Sequence, residues 1–201
     1  MKQLVIISVL IALGSLSCIA QDIKLPSPNK TGGKPLMEAL NERQSNREFS
    51  DKELSIQTLS DLLWAANGFN RETKRTAPSS QDRQELDLYV FLKSGVYFYD
   101  AKNLQLILKL QGNHQAKTGG QSFVAVAPLN IVFVANLDKA SNRDAALTDC
   151  GFISQNIYLY CASAGLNTVV RGLVDKGELH KLLGLNEKQE VLLGQTVGYK
   201  Q

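Results

Sequence analysis

Most of the motifs that would mark a familiar chemistry are missing from these 201 residues. There is no HExxH helix, no paired-cysteine motif, no GxSxG elbow and no phosphate-cradling GK[ST] loop, which removes the usual metal, serine-hydrolase and nucleoside-triphosphatase readings. Basic residues never run together with aromatics between them, and the net charge is only +3, so the footprint of a nucleic-acid partner is lacking and none is expected. No internal repeat recurs and no linker divides the chain. With 44% hydrophobic and 20% charged residues, one globular domain with a full core is expected.

What is present starts with a leader. Lys2 gives a positive start, Leu4 to Leu13 is almost wholly apolar, and small residues close the stretch at Cys18-Ile19-Ala20. This reads as a signal peptide over residues 1–20, cleaved after Ala20, with the periplasm as destination. The apolar run is too short for a stable membrane span and has no charged flank on its far side. Loss of Lys2 with the leader leaves a net charge of +2. Ser15-Leu16-Ser17-Cys18 loosely resembles a lipobox, with serine where leucine is usual, so lipid anchoring at Cys18 is the minor alternative. Cys150 and Cys161 fall in one predicted helix, about 16 Å apart at 1.5 Å per residue, beyond disulfide reach. They read as two buried small hydrophobes.

Residues 21–34 carry Pro26, Pro28, Gly32 and Gly33 among polar residues and read as an extended lead-in without regular structure, with the domain proper over 35–201. Pro35 to Glu42 is a short helix with proline in its first turn. Ser55 caps a second helix whose Ile56, Leu59, Leu62 and Leu63 recur at helical spacing, and Asn67-Gly68 supplies a left-handed stop. Leu86 to Leu92 alternates as a strand, Lys93-Ser94-Gly95 turns, Val96 to Tyr99 returns, and Leu104 to Leu110 extends the hairpin. Residues 115–126 read either way, because Gly119-Gly120 interrupts a possible helix. Leu129 to Leu137 is the apolar run of a central strand. Thr148 to Ala164 is a helix apolar on most faces, hence buried, ending at Gly165. Asn167 to Val170, Lys176 to Leu183 and Val191 to Tyr199 complete a strand, a helix and a closing strand. The mixture lacks strict alternation, so the class is α+β.

Within this frame one local cluster stands out. If Arg43-Gln44-Ser45-Asn46-Arg47 is extended, period-two alternation puts Arg43, Ser45 and Arg47 on one side. Two forked guanidinium groups and a hydroxyl suit a phosphate, although a solvated basic turn has the same spacing. Ala77-Pro78-Ser79-Ser80 is a rigid loop rich in donors. Val170-Arg171-Gly172 follows a short strand, with a glycine that would let backbone approach a flat ligand. Asn156 reads as satisfying a buried backbone group, and His114 as a surface histidine.

In order and spacing these pieces resemble the nitroreductase superfamily of FMN enzymes, over almost the whole mature chain. The resemblance runs from LPSPNKTGGKPLMEALNERQSNREFS through KRTAPSS and GFISQNIYLYCASAGLNTVVRG to LLGQTVGYK. LSDLLWAANG followed by a TAPS loop looks especially like the branch of azoline dehydrogenases that mature modified peptides. The resemblance implies a nitroreductase-like fold, with a central, mostly antiparallel sheet flanked by helices in an intertwined homodimer. It also implies ping-pong electron transfer through FMN, from a reductant such as NAD(P)H to a small-molecule substrate. A flavin-binding module without turnover on the same fold is the alternative.

Arg43, Ser45 and Arg47 match the segment that holds the FMN phosphate and ribityl chain. Pro78, Ser79 and Ser80 match the loop that reaches the flavin from the partner subunit. Arg171 and Gly172 match the segment whose backbone amide faces flavin N5, the amide mattering more than the Arg171 side chain. Gln121 falls where relatives contact the pyrimidine edge. Lys200 matches a basic residue that completes the phosphate site, here without the proline and further basic residues common there. Because NAD(P)H is scarce outside the cytoplasm, export makes a quinone or thiol donor conceivable too.

Overall fold

The computed structural model describes residues 21–201; the expected leader, its cleavage point and Cys18 lie outside the described residues. Seven strands form one sheet: β1 (Ile23–Lys24), β2 (Leu86–Leu92), β3 (Gly95–Asp100), β4 (Gln105–Gln111), β5 (Leu129–Asn136), β6 (Leu166–Arg171) and β7 (Gln189–Tyr199). Their spatial order is β1-β4-β3-β2-β5-β7-β6, and every neighbouring pair is antiparallel. Helices α1 (Leu36–Glu42), α2 (Ile56–Asn67), α3 (Ser122–Val126), α4 (Arg143–Ala164) and α5 (Lys176–Leu182) flank it. The α+β class and the antiparallel central sheet expected from the sequence are both present. Among the described residues no helix is long and apolar enough to cross a membrane.

The period of two explains why β5 sits at the centre. Leu129, Ile131, Phe133 and Ala135 face one side, packing with Leu62 and Leu63 of α2 and Ile153 and Ile157 of α4. Val132 and Val134 face the other, against Leu179 of α5, Leu185 and Val191. A strand covered on both faces has no polar side, hence the near-continuous apolar run. Burial of each such side chain contributes about 1.5–3 kcal/mol.

Helix α2 begins as expected, with the Ser55 hydroxyl accepting from the Thr58 amide at 3.0 Å. It does not end in a left-handed residue. Gly68 has φ −78° and ψ 175°, and its carbonyl accepts from the Thr76 amide at 2.9 Å. Glycine is required there by a close approach: a Cβ would lie 2.7 Å from the Trp64 Cα and 2.8 Å from the Trp64 carbonyl oxygen. The left-handed stop belongs to Gly165 at the end of α4, with φ 70°.

Helix α4 is longer than its apolar periodicity suggests. It starts at Arg143, capped by Asn142 Oδ1 accepting from the Ala145 amide at 2.8 Å, and the Arg143 guanidinium reaches Glu190 of β7 at 2.8 Å. Nor is it buried all round. Phe152 is 42% exposed, and Gly151 and Gln155 are open beside it. Cys150 and Cys161 are free and buried in this helix, as expected. The lead-in does contain regular structure: Ile23 and Lys24 pair with Leu106 and Gln105, because β4 would otherwise present an open edge, and Leu25 is buried. The ambiguous stretch 115–126 resolves into a turn of 3-10 helix over Gln115–Thr118 followed by α3.

Candidate functional site

Helix α1 stops at Arg43, and from there to Ser50 the chain has no regular structure. It runs along β6 to the end of β7: the Asn46 amide donates to Thr168 O at 3.0 Å, Asn167 Nδ2 donates to Glu48 O at 2.7 Å, and the Ser50 amide donates to Tyr199 O of β7 at 3.0 Å. At its start the segment meets α4. The Arg43 guanidinium lies 5.3 Å from the Tyr158 ring centroid, and Ser45 Oγ is 2.7 Å from the Tyr158 hydroxyl. That hydroxyl also accepts the Val170 amide of β6 at 3.0 Å. The Tyr158 hydroxyl thus ties Ser45 to β6. Arg47 is exposed further along, and neither arginine forms an ion pair among the described residues. Two guanidinium groups without an ion-pair partner among the described residues, and a hydroxyl between them in the sequence, suit an anion.

Strand β6 ends at Arg171. Its side chain is only 4% exposed and points inward, with Nε donating to Thr196 Oγ1 at 3.0 Å, Nη1 to Thr118 O at 2.8 Å and Nη2 to Asn130 Oδ1 at 3.3 Å. Burial without a carboxylate partner pulls this guanidinium down to about 10. Arg171 therefore pins the 115–121 loop to β5, β6 and β7. Gly172 follows, exposed, where a Cβ would meet nothing closer than Leu193 at 4.0 Å. Packing does not demand this glycine; it leaves the backbone bare to an approaching surface. Gln121 lies three residues beyond the pinned Thr118, and its Oε1 is buried without a hydrogen-bond partner.

Lys200 lies at the other end of β6, exposed and next to Tyr199, which pairs with Leu166. Between Leu166 and Arg171 the strand spans roughly 17 Å. One protomer thus brings Arg43, Ser45, Arg47, Gly172, Gln121 and Lys200 to β6 and its two ends. It does not bring Pro78, Ser79 and Ser80 there. The Ser80 amide donates to Asp149 Oδ2 at 2.7 Å, in the N-terminal half of α4. Asp149 and Tyr158 are nine residues apart on one helix, roughly 13 Å. The loop after Ser80 is strained, with Gln81, Asp82 and Gln84 at φ 54°, 56° and 48°.

Sequence reasoning missed Tyr158 and Asp149, both counted within an apolar helix. The signal was there: a buried tyrosine hydroxyl needs a partner, and so does a buried carboxylate. Asn156 behaves as expected, donating to Ala66 O at 3.4 Å. A groove of about 650 Å³ between the lead-in, α2 and α4 is lined by Asp61, Trp64 and Tyr160 and by none of the candidate residues.

A seven-stranded antiparallel sheet thus carries a cationic segment along its edge strand and a bare glycine at that strand's end. Residues 40–199 match the Nitroreductase family, and the chain belongs to it. A protein from Methanocaldococcus jannaschii, named as a nitroreductase by inference, is 29% identical over 175 residues, covering 79% of this chain and 88% of that one. The crystal structure of a similarly named protein from Ralstonia eutropha JMP134 is 41% identical, covers 92% of both chains and has a TM-score of 0.86. A third, from Desulfovibrio desulfuricans, was solved in complex with FMN; at 18% identity, 84% and 88% coverage and a TM-score of 0.64, it shares the fold.

Proposed function

We propose that this chain is an exported FMN-dependent oxidoreductase of nitroreductase type, periplasmic, acting as a homodimer on a small-molecule substrate. The observation that carries the reading is the Arg43–Ser45–Tyr158 cradle beside the bare Gly172, with a buried, partnerless Gln121 oxygen on the same rim. These groups fit FMN. Arg43, Ser45, Arg47 and Lys200 would hold its phosphate and ribityl chain, the Gly172 amide would donate to N5, and Gln121 would meet the pyrimidine edge. Bound there, FMN would supply two-electron chemistry between NAD(P)H or another reductant and an organic acceptor, in a ping-pong cycle. The protein's part is to anchor the phosphate, place a donor beside the ring and exclude water. The motif LSDLLWAANG with its TAPS loop supports a kinship with the azoline dehydrogenase branch.

Helix α4 supports the dimer. The Ser80 loop hangs from its Asp149 end and the cradle from its Tyr158 end. An antiparallel crossing of two α4 helices, with the two-fold axis between Ile153 and Ser154, lays the loop of one copy over the cradle of the other. The exposed Gly151, Phe152 and Gln155 surround that point, and Leu36, Met37 and Leu40 of α1 extend the apolar surface, with exposures of 62%, 75% and 43%.

The test is the purified mature chain: a flavin absorption spectrum, bleaching by NADH, NADPH or dithionite, and reoxidation by quinones or nitroaromatics. Arg43→Ala with Arg47→Ala should abolish FMN retention in a folded dimer. A colourless protein that takes up no added FMN refutes the reading. FMN that binds and bleaches with dithionite, but turns over with no donor and acceptor pair, leaves a binding module instead.

A further inference from the structure

At the root of the Pro78–Ser80 loop two acidic side chains are buried together. Glu85 is 1% exposed and Asp149 3% exposed. Both line a cavity of about 10 Å³ with Asn67, Arg75, Pro78 and Ser79, room for one water at most. Asp149 Oδ2 accepts the Ser80 amide. No other side chain donates a hydrogen bond to either oxygen of Glu85, and the Asp149 carboxyl lies beside it in the same cavity. Two ionised carboxylates cannot bond to each other, since both only accept. Ionised together in so dry a place they would also repel strongly. One proton between them removes both difficulties.

The charged groups facing Glu85 are Asp149 from α4, Arg83 from its own loop and Arg75 across the cavity. Neither arginine neutralises it. Arg83 donates to Gln81 Oε1 and Lys139 O, while Arg75 donates to Asn67 O and Gln84 Oε1. Burial raises the Glu85 carboxyl above its ordinary range and the neighbouring Asp149 pushes the same way; a backbone hydrogen bond and Arg83 oppose them.

We propose that Glu85 and Asp149 share a single proton, that their bond positions the Ser80 amide, and that this pair sets the loop for the flavin site of a second copy. It rests on the dimeric FMN reading above. The strained residues Gln81, Asp82 and Gln84 make the anchor necessary, because a loop in an unfavourable backbone conformation keeps its shape only while its surroundings fix it. The sign follows. The shared proton is held below the elevated Glu85 range and lost as pH rises through it, whereupon two like charges push apart and Ser80 is released.

The test uses the full mature chain and Glu85→Gln, whose amide donates to Asp149 at every pH. In wild type, infrared spectra should show the carbonyl band of a protonated buried carboxyl at neutral pH, fading on alkalinisation and missing from E85Q. Hydrogen exchange at residues 79–84 should accelerate in wild type as the band fades, beyond the intrinsic pH effect, and stay protected in E85Q. FMN affinity, followed by flavin fluorescence, should weaken about tenfold in wild type across the same range, as expected for one lost charge-assisted hydrogen bond, and stay flat in E85Q. Absence of the band at neutral pH, or the same exchange profile in both proteins, overturns the proposal. If FMN binds neither protein, the flavin reading and the loop's role in it fall, while band and exchange still decide whether the proton is shared.

Discussion

Replacing Tyr158 by Phe isolates what holds the cradle together. The tyrosine is 6% exposed, and its hydroxyl accepts the Val170 amide at 3.0 Å while meeting Ser45 Oγ at 2.7 Å. Phenylalanine keeps the ring, its packing on α4 and its stacking partner Arg43, and removes only the oxygen. The Val170 amide, half-buried on β6, then loses its acceptor at a cost of about 1–3 kcal/mol. For a chain of this size that is a fall in Tm of roughly 2–4 °C per kcal/mol. Ser45 loses its orientation too, so FMN affinity should drop by about 1 kcal/mol, near fivefold. Ser45→Ala provides the contrast: it spares the Tyr158–Val170 bond, so it should weaken FMN by a similar factor while Tm barely moves. Calorimetry and fluorescence titration on both variants and the double mutant complete a cycle. A Y158F protein with wild-type Tm, or additive effects of the two changes on FMN binding, would refute the argument that one hydroxyl couples the segment to the strand.

Other consequences follow from the same geometry. Arg171→Lys cannot span Thr118, Asn130 and Thr196 at once, so it should destabilise by about 3 kcal/mol in urea unfolding and raise hydrogen exchange over 115–121. Phe152→Lys should convert the proposed dimer to monomers in sedimentation and remove FMN retention; a dimer that persists with FMN bound excludes the α4 crossing. Cys150 and Cys161 should resist iodoacetamide at pH 8 until denaturant is added, because burial holds the Cys150 thiol up at about 12 and raises Cys161 as well. Rapid alkylation of the native protein would contradict that burial.

How much could be read in advance depended on whether the cause was local. Strand β2 was legible to the residue and β5 to within one, because alternation and a continuous apolar run leave a strong pattern. The Ser55 cap was legible because capping is a matter of four neighbouring residues. The start of α4 was not: Arg143-Asp144-Ala145 has no apolar period, and a contact with Glu190, 47 positions away, steadies it. Asn67-Gly68 looked like a left-handed stop, whereas tertiary crowding by Trp64 is what the glycine answers. In the site, the spacing of Arg43, Ser45 and Arg47 suggested a cradle. The tyrosine that braces it lies 113 residues from Ser45, and the aspartate under the Ser80 loop lies 69 residues from that serine. Arg171 was matched for its backbone amide rather than its side chain, and its partners on Thr118, Asn130 and Thr196 draw that side chain into the core.

The extended segment 43–50 also has a bearing on solubility. Strand β6 is the last in the sheet, and this segment lies over its outer edge through few hydrogen bonds. An uncovered edge strand is a template for pairing with another molecule. The residues that would grip a phosphate are thus carried on the flap that stops sheets from joining end to end. Whatever seats the arginines also holds the flap shut, so a molecule without its ligand offers Leu166–Arg171 more readily to a neighbour and is the form from which aggregates would grow.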